Sequence, residues 1–479
     1  MKIAIVHYHL EPGGVTRVIE NTLKAWADSG HEVETVVLSG RKYKGNQIAN
    51  TQEVEGLDYA TAEKSMDASI LKDRLTEKAI KSLGEMPDLW HVHNHSLGKN
   101  PALTSAVSIL ADEGERLLLH PHDFAEDGRP QNFKAITEVY RETYPSSPGI
   151  HYATLNNRDH SFVSNLFADT ASKVHLLANA IPQNVSEEIP TSSAASLPAN
   201  FILYPVRAVR RKNLGELALL AAAYPEKHFA NSLKPTNPTF RPQFERWKAF
   251  ARETELPLSY GIGHQVECSF PEMVSSAEAI VTTSMAEGFG LGYLEPWGFG
   301  KSLCGRNLPE ITGDFSKLGV NLDHLYNRLE LDVGLLENKE LLFTRIEKAL
   351  DKFFKDYGEE LPQQATEEAK NSIVRDNLVD FGRLDESFQE ELILSAIKSE
   401  ETKKAIRQQC SLNPLPGSII KANSEAIRDE FSMIAYGEKL IQIYQEILQA
   451  KKGKVEYADG KNLLRQFLSP SRLNLLLTN

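Results

Sequence analysis

The sequence predicts an α/β protein with two lobes, each built around a parallel sheet, and a helical C-terminal extension. Residues 1–190 and 199–336 both alternate short apolar runs with stretches of helical spacing, which is typical of β-α-β units. Between them, Pro190–Pro198 is small, polar and bracketed by prolines, a composition typical of interdomain linkers. From 337 to 479 the pattern becomes almost purely helical and rich in Glu and Lys.

The first lobe begins with a strand, a glycine loop and a helix. Ile3–Val6 is an apolar run, and apolar residues then recur at helical spacing over Val15–Ser29. Gly30 ends this helix and Glu32–Leu38 gives a second strand, so the unit is β-α-β, the sheet is parallel and the lobe is Rossmann-like. Its other predicted strands are Leu89–Val92, Arg116–Leu119, His151–Leu155 and Val174–Leu177, with helices near 66–84, 99–113, 132–142 and 158–167.

The second lobe repeats this alternation, and two such lobes predict a cleft between them. Its predicted strands are Phe201–Tyr204 and Ala279–Thr282, with helices at Leu214–Tyr224, at Pro242–Thr254 and after Glu295. Apolar faces persist in the extension, so we expect packed amphipathic helices there. The predicted helices of the extension are Lys339–Asp356, Gln364–Arg375, Ser387–Lys398, Ser424–Phe431 and Gly437–Leu448.

Composition and charge exclude several classes of partner. The formal net charge of −12 disfavours binding to nucleic acid or to an anionic membrane. Cys268, Cys304 and Cys410 are far apart in sequence and form no CxxC pair, so they indicate neither a disulfide framework nor a zinc site. The N-terminal apolar run is too short for a signal peptide, and no stretch of about 18 apolar residues exists. We therefore expect a cytoplasmic protein without nucleic-acid partners or stable membrane association.

Two glutamates, Glu287 and Glu295, flank a glycine-rich turn that contains Phe289, Gly290 and Leu291. If this turn opens a helix, Glu295 lies in its first turn and Glu287 in the loop before it, beside an N-terminus that favours anionic groups. Both carboxylates can then contact one ligand, an arrangement that suits a nucleotide sugar. The alternative is a pair of solvated carboxylates on an exposed helix face.

Four cations follow the first predicted strand of the second lobe within six positions. One interpretation is a solvated surface turn. The other is chemical: a departing nucleoside diphosphate gains negative charge in the transition state, and guanidinium and ammonium groups stabilise that charge. The four residues are Arg207, Arg210, Arg211 and Lys212.

Two features of the first lobe could also serve a ligand site. Gly13 and Gly14 would let the chain approach a phosphate at a helix N-terminus, but they do not form the G-x-G-x-x-G fingerprint of dinucleotide binding. His91, His93 and His95 alternate and would share one face of an extended segment, as metal ligands can. No nearby carboxylate or cysteine completes a metal shell, so we expect no metal and place this strand end at the acceptor side of the cleft.

Together these motifs resemble the retaining glycosyltransferases of the GT-B fold, family four, over roughly residues 1–320 and the last long helix. The resemblance implies two Rossmann-like lobes that face a cleft, with the last helix packed back on the first lobe. It also implies that Glu295 accepts hydrogen bonds from the ribose hydroxyls and that Glu287 lies over the transferred sugar. The backbone amides of Phe289, Gly290 and Leu291 would lie near the diphosphate and sugar.

The resemblance assigns the remaining candidates as well. The family places its arginine and lysine five residues apart, which selects Arg207 and Lys212 and leaves Arg210 and Arg211 as bystanders. A family histidine at the end of the strand before Asp123 faces the transferred sugar; His122 matches it best, with His120 as the alternative. The resemblance implies that Gly13 and Gly14 contact the phosphate of the donor. The acceptor-side candidates are His93, Asn94 and Asp123.

The implied reaction is transfer of a hexose from a nucleoside-diphosphate sugar to a small soluble acceptor: a sugar, a sugar phosphate or a small organic acid. Retention of anomeric configuration and the absence of metal and of any other cofactor are part of this expectation. A phosphorylase of the same fold and a non-catalytic nucleotide-sugar-binding protein are the alternatives. The helical segment 337–430 departs from the family pattern. Two roles are open for it: it could form contacts in a homo-oligomer, or it could act as a lid.

Overall fold

The computed structural model describes residues 1–61, 66–182, 197–198 and 200–477, except for the side chain of Ser29. These residues form two units. The first consists of Met1–Pro182, Phe354–Glu359 and Asp429–Ser469, and the second of the described residues within Gln183–Phe353, Glu360–Arg428 and Pro470–Asn479. The predicted linker, Pro190–Pro198, lies outside the described residues apart from its last two, and the predicted boundaries at 190, 199 and 337 remain predictions.

A seven-stranded parallel sheet forms the centre of the first unit, in the order β3-β2-β1-β4-β5-β7-β8. Its central strands, β1, β4, β5 and β7, are mostly buried, because helices cover a parallel sheet on both faces. The strands of this part of the chain, of which all but β6 belong to the sheet, are β1 (Lys2–His7), β2 (Glu34–Ser39), β3 (Thr51–Glu53), β4 (Leu89–His93), β5 (Leu117–His120), β6 (Pro145–Ser146), β7 (Ile150–Thr154) and β8 (Lys173–Leu176). The helices are α1 (Gly14–Ser29), α2 (Ala68–Leu83), α3 (Pro101–Asp112), α4 (Pro130–Ile136) and α5 (Asn157–Leu166).

Local sequence explains where several of these helices begin. The side chains of Asp67, Asn100 and Asn156 accept hydrogen bonds from backbone amides in the first turns of α2, α3 and α5. Each strand and helix predicted for this part of the chain is present to within a few residues. The predicted helix at 132–142 is divided, because α4 ends at Ile136 and a 3-10 helix continues over Thr137–Glu142.

A five-stranded parallel sheet organises the next part of the chain, in the order β11-β10-β9-β12-β13. The strands from here to residue 380 are β9 (Phe201–Arg207), β10 (His228–Leu233), β11 (Leu258–Tyr260), β12 (Ala279–Thr282), β13 (Leu303–Gly305), β14 (Glu330–Asp332), β15 (Val374–Arg375) and β16 (Leu378–Asp380). The helices are α6 (Leu214–Ala223), α7 (Arg241–Glu253), α8 (Phe270–Ser276), α9 (Glu295–Gly298), α10 (Pro309–Lys317), α11 (Lys339–Asp356), α12 (Ala365–Ile373), α13 (Glu386–Lys398), α14 (Glu400–Gln409) and α15 (Gly417–Glu430).

The extension is mainly helical, but it also contains strands that the sequence pattern did not predict. β14, β16 and β15 form a small antiparallel sheet, and the predicted helix Gln364–Arg375 ends at Ile373 because its last residues enter β15. Asp376 and Asn377 both have positive φ, 48° and 63°, and connect β15 to β16. Two central residues with positive φ are what a tight hairpin turn requires, and Asp and Asn tolerate that conformation well.

The last part of the chain contains α16 (Met433–Gln449), β17 (Glu456–Tyr457) and α17 (Lys461–Phe467). In the first unit α16 packs on α1, where Tyr436, Leu440 and Tyr444 join a hydrophobic cluster that includes Trp26. Gly437 allows this close approach, since a Cβ there would lie 3.1 Å from the Ala25 carbonyl oxygen. β17 pairs with β6 in an antiparallel bridge. No helix among the described residues has the length and apolar character needed to cross a membrane.

Candidate active site

Each parallel sheet has one point at which the strand order reverses, and the predicted site residues follow the strands there. In the first unit the reversal lies between β1 and β4; in the other sheet it lies between β9 and β12. Loops at the carboxyl ends of such strand pairs are where open α/β sheets usually bind ligands. Gly13 and Asn94 follow β1 and β4, while Lys212 and Glu287 follow β9 and β12.

The Lys212 ammonium forms an ion pair with the Glu287 carboxylate. Both side chains are mostly buried, with 14% and 13% of their surfaces exposed. Burial lowers the pKa of Lys212, while Glu287 and Glu295 both act to raise it. The sequence motifs that supplied the cation and the two carboxylates therefore meet at one ammonium group.

Hydrogen bonds between the two loops hold this ion pair in place. Thr283 donates from its hydroxyl to the backbone carbonyls of Lys212 and Asn213, at 3.0 and 3.1 Å. The Met285 amide donates to the Arg211 carbonyl at 2.8 Å. The loop after β9 and the loop after β12 are thus joined through their backbones, which limits the freedom of Lys212.

Glu295 is the first residue of α9, as the sequence predicted, but α9 is only four residues long. Partial loss of hydration raises the pKa of the Glu295 carboxyl, and Lys212 opposes that shift. Glu295 as a whole residue is exposed to solvent, so its carboxylate remains accessible to a ligand. Lys212 therefore acts electrostatically on a second, accessible carboxylate.

The turn between the two glutamates requires glycine at one position. Gly290 has φ of 95°, and a Cβ there would lie 3.0 Å from Ile311 Cγ2. Phe289 is buried with its ring 5.5 Å from the ring of Phe315, whereas Leu291 begins a 3-10 turn and is 40% exposed. Packing of Phe289 and the Gly290 turn therefore fixes the course of the loop between Glu287 and Glu295.

The other cations of the motif have different environments. Arg207 ends β9, is exposed, and has Nη1 3.4 Å from the Thr236 hydroxyl; among the described residues it makes no ion pair. Arg210 forms a two-point ion pair with Glu386 at 2.9 Å, so it anchors α13. Arg211 is exposed. The structure joins Lys212 to the glutamates and gives Arg207 no contact with them.

Four buried histidines form a two-by-two array in the first unit. His91 Nε2 lies 3.1 Å from His120 Nδ1, and His93 Nδ1 lies 2.8 Å from His122 Nε2. The two hydrogen-bonded pairs stack, with ring centroids 4.3 Å apart for His91 and His93 and 4.2 Å apart for His120 and His122. Burial lowers the pKa of every ring, to about 3 for His91, so the array is neutral.

Nitrogens of His91, His93 and His120 lie within 4.8 Å of one another, and this group of three contains no carboxylate or thiolate. Within each pair, one of the two facing nitrogens donates its hydrogen to the lone pair of the other. His95 does not share this face. β4 ends at His93, the next residue has positive φ, and the His95 ring instead bonds the Thr143 carbonyl at 3.0 Å.

Asn94 holds the backbone of the loop that carries His122 and Asp123. Its Oδ1 accepts from the amides of His122 and Asp123 at 2.6 and 3.2 Å, while its own carbonyl accepts from the Tyr8 hydroxyl at 2.7 Å. Its φ is 58°. Asp123 in turn accepts from Arg129 at 2.5 Å. The sequence marked Asn94 as an acceptor-side candidate but did not predict this structural role, for which asparagine at a strand end was the only signal.

Gly13 and Gly14 lie at an uncrowded helix start. Gly14 is the first residue of α1, and a Cβ on it would meet no atom within 4 Å. Nearby, His9 and Tyr59 pack with ring centroids 4.8 Å apart, and Lys99 Nζ lies 5.5 Å from the Tyr59 ring centre. His9, Tyr59 and Lys99 belong to no recognisable sequence motif, so the sequence alone does not indicate them.

Known proteins that are similar to this chain include a curated sequence and many solved structures. No protein-family model matches this sequence. It is 24% identical to the mannosylglucosyl-3-phosphoglycerate synthase of Petrotoga mobilis over 528 aligned positions, covering 99% of both chains. Among solved structures, the sucrose-phosphate synthase of Thermosynechococcus elongatus superposes with a TM-score of 0.51 at 13% identity, over 93% of this chain and 98% of that one. The catalytic domain of Arabidopsis thaliana starch synthase IV, bound to ADP and acarbose, gives 0.51 at 11% identity, over 93% and 99%.

Proposed function

We propose that this chain, which has the fold of the GT-B glycosyltransferases, transfers a hexose from a nucleoside-diphosphate sugar to a small soluble acceptor. Configuration at the anomeric carbon is retained, and neither metal nor any other cofactor takes part. The main support is the convergence of Lys212, Glu287 and Glu295 at the point where the strand order reverses.

Lys212 is suited to the negative charge of a diphosphate. Its ammonium is mostly buried, so its interaction with a second anion is stronger than it would be in water. In the ion pair it is balanced by Glu287, a carboxylate that can also accept hydrogen bonds from sugar hydroxyls. A donor that places its diphosphate at Lys212 and its hexose at Glu287 would satisfy both groups at once.

Glu295 is assigned to the ribose of the donor. It lies at the start of α9, beyond the Gly290 turn, and is accessible at the surface. A carboxylate accepts two hydroxyl hydrogens at the same time, which matches a ribose diol. Arg207 is the second diphosphate cation in this proposal; its exposed side chain, free of any ion pair among the described residues, can turn toward the leaving group.

Bond cleavage at the anomeric carbon leaves its electron pair on the diphosphate oxygen, where Lys212 and Arg207 stabilise the charge more in the transition state than in the ground state. The acceptor hydroxyl attacks from the face that the diphosphate leaves, which retains configuration. The departing phosphate oxygen takes the acceptor proton, so no protein base is required. His122 is neutral in the array and orients the sugar through a hydrogen bond.

The acceptor class is a sugar or sugar phosphate, with a small organic acid as the remaining option. The name of the Petrotoga mobilis relative describes a mannosyl unit joined to glucosyl-3-phosphoglycerate, an acceptor that carries both phosphate and carboxylate. We place His93, Asn94 and Asp123 around the acceptor or the loop that receives it, and Gly13 and Gly14 at the phosphate of the donor.

The direct test is release of nucleoside diphosphate by the purified full-length protein. UDP-, GDP- and ADP-linked glucose and mannose are each combined with glucose 6-phosphate, fructose 6-phosphate, 3-phosphoglycerate and glucosyl-3-phosphoglycerate, and products are identified by mass spectrometry. We expect one donor to give a glycosylated product with an acceptor-dependent rate, and the product's anomeric proton coupling to match the donor configuration. EDTA should not change the rate.

Two results would contradict the proposal. A protein that binds one nucleotide sugar but releases no diphosphate with any acceptor would be a non-catalytic binder. A protein that forms sugar phosphate from a disaccharide and inorganic phosphate would be a phosphorylase. Inversion of configuration would overturn the front-face mechanism while leaving the transferase activity in place.

A further inference from the structure

A second group of histidines lies outside the array, where the last long helix meets the edge of the first sheet. His151 is on β7, His175 is on the neighbouring edge strand β8, and Glu446 is on α16. One ligand atom of each residue lies within 4.8 Å of the other two. Two imidazoles and one carboxylate are a ligand set that zinc and similar divalent metals bind.

The strand pairing explains why the two rings meet. β7 and β8 are parallel, and Ala153 lies opposite His175, so His151 is two residues away from that position on the same face. The facing nitrogens, His151 Nδ1 and His175 Nε2, are 2.9 Å apart. Zinc-bound imidazoles at tetrahedral angles hold their nitrogens about 3.3 Å apart. Zinc binding therefore requires the rings to separate by about 0.4 Å and to turn both lone pairs toward the ion, and the shared hydrogen moves to the other nitrogen of its own ring.

The surroundings of His151 also match those of a metal ligand. Its ring has a hydrogen bond to the backbone of Pro148, which offers only a carbonyl oxygen because proline has no amide hydrogen. Metal-binding histidines usually donate their second nitrogen to such a carbonyl, which fixes the tautomer.

Access and competition decide whether an ion can enter. His151 is buried, but His175 is half-buried and Glu446 is exposed, so the open side of the group faces solvent. The Lys173 ammonium lies 3.1 Å from Glu446 Oε2 and competes for the carboxylate. Lys173 has 61% of its side chain exposed, and exposed ion pairs contribute little, so an ion can replace it.

We propose that His151, His175 and Glu446 form a zinc site that ties α16 to the edge strands of the first sheet. Water completes the tetrahedral shell on the solvent side. The site is structural: its residues differ from those assigned to the donor and acceptor, and sugar transfer does not depend on it. Bound zinc stabilises the folded chain by mass action, since its three ligands come from elements far apart in sequence.

The test uses full-length protein without a histidine tag, first stripped with EDTA and then exchanged into chelator-free buffer. Zinc affinity is measured by competition with a chromogenic zinc indicator, and cobalt is added separately to record visible ligand-field bands. We expect one equivalent of zinc per chain, a zinc-dependent rise in melting temperature, and cobalt bands that zinc abolishes.

Three variants show whether this group is the ligand set. His175→Ala and Glu446→Gln should each weaken zinc binding, His175→Ala by on the order of 100-fold, at least as much as loss of a second-shell partner does. His264→Ala removes an exposed histidine outside this group and should leave zinc affinity unchanged. Glu446 is exposed, so its variant stays informative even if His175→Ala lowers stability.

Unchanged zinc affinity in both ligand variants would overturn the proposal. A parent protein that binds no equivalent of zinc tightly would overturn it as well. Zinc binding that persists in His175→Ala but falls in His264→Ala would place the metal elsewhere and would equally refute it. Because the stripped enzyme should keep full transferase activity, failure of this proposal and failure of the proposed function give different results.

Discussion

The side-chain oxygen of Asn94 accepts hydrogen bonds from the backbone amides of both His122 and Asp123, at 2.6 and 3.2 Å. A side chain at the end of β4 thereby sets the path of the loop after β5. This links the two predicted acceptor-side motifs, which lie 28 residues apart in sequence, through one amide group.

Replacing Asn94 should loosen that loop. In Asn94→Ala two amides lose their acceptor and a residue that disfavours positive φ is introduced, so we expect a loss of about 1–3 kcal/mol in unfolding free energy. Asn94→Gly should recover only the backbone part of that loss, while Asn94→Asp keeps an acceptor at the same place and should be the mildest change. Urea unfolding of the three variants measures this; equal stability of Ala and Asp would contradict the role of Oδ1.

His93 should matter through His122. His93→Ala leaves His122 Nε2 without its 2.8 Å partner, so the ring can rotate. We expect kcat to fall roughly tenfold, equivalent to about 1.4 kcal/mol, with little change in KM for the donor. His93→Asn puts an amide atom near the position of Nδ1 and should restore part of the rate. A rise in donor KM at constant kcat would instead indicate that His93 binds the donor.

The histidine array should make the protein sensitive to acid. Its rings have lowered pKa values in the folded state, so they stay neutral while their unfolded counterparts take up protons below about pH 6.5. Their stabilising contribution is therefore complete above that pH and is lost as the pH falls. Below pH 6, we expect each ring to lower the unfolding free energy by about 1.4 kcal/mol for every unit by which the pH falls. NMR shifts of the array rings that titrate near pH 6.5 would refute this explanation.

Glu126 should act in the opposite direction. The Tyr140 hydroxyl lies 2.8 Å from Glu126 Oε1 and 2.7 Å from the Gly460 carbonyl, but it has one hydrogen. That hydrogen is shared between the two acceptors, and the Tyr144 hydroxyl donates to the same Glu126 oxygen at 2.7 Å. Burial raises the pKa of this carboxyl to about 7, although the hydrogen bonds that Tyr144 and Tyr140 donate act to lower it.

Because the folded pKa of Glu126 exceeds the unfolded one, its contribution is complete below about pH 4.5 and is lost as the pH rises through 7. Glu126→Gln keeps a hydrogen-bond donor without a titrating group. The difference in unfolding free energy between the variant and the parent should therefore change by about 1.4 kcal/mol per pH unit between pH 5 and 7, in favour of the variant. A difference that does not vary with pH would show that Glu126 is ionised throughout.

The sequence predicted the first parallel sheet well, because buried strands and amphipathic helices leave strong periodic patterns over Ile3–Val6, Val15–Ser29 and similar stretches. In the second sheet it predicted β9 and β12 but missed β10, β11 and β13. Most of the missed strands are short. β3 and β13 are three residues long, and the hairpin at Asp376 and Asn377 depends on turn conformation and not on periodicity.

At the candidate site, sequence spacing identified the residues but not their contacts. It predicted Lys212, Glu287 and Glu295 as ligand-binding groups. In the structure, both carboxylates act on the Lys212 ammonium. It could not show that Arg210 pairs with Glu386, since that contact joins residues 176 apart, nor that His93 bonds His122. Such contacts depend on strand order, which local patterns do not determine.

The central claim is that the Lys212 ammonium stabilises the departing diphosphate. The most direct measurement compares steady-state rates of nucleoside diphosphate release for the parent protein, Lys212→Ala and the matched control Arg211→Ala, with thermal unfolding to verify folding. We expect Lys212→Ala to lower kcat on the order of 100-fold or more, as loss of one preorganised charge-stabilising group does, and Arg211→Ala, an exposed neighbour, to stay near the parent. A folded Lys212→Ala protein with the parent's kcat would contradict the claim.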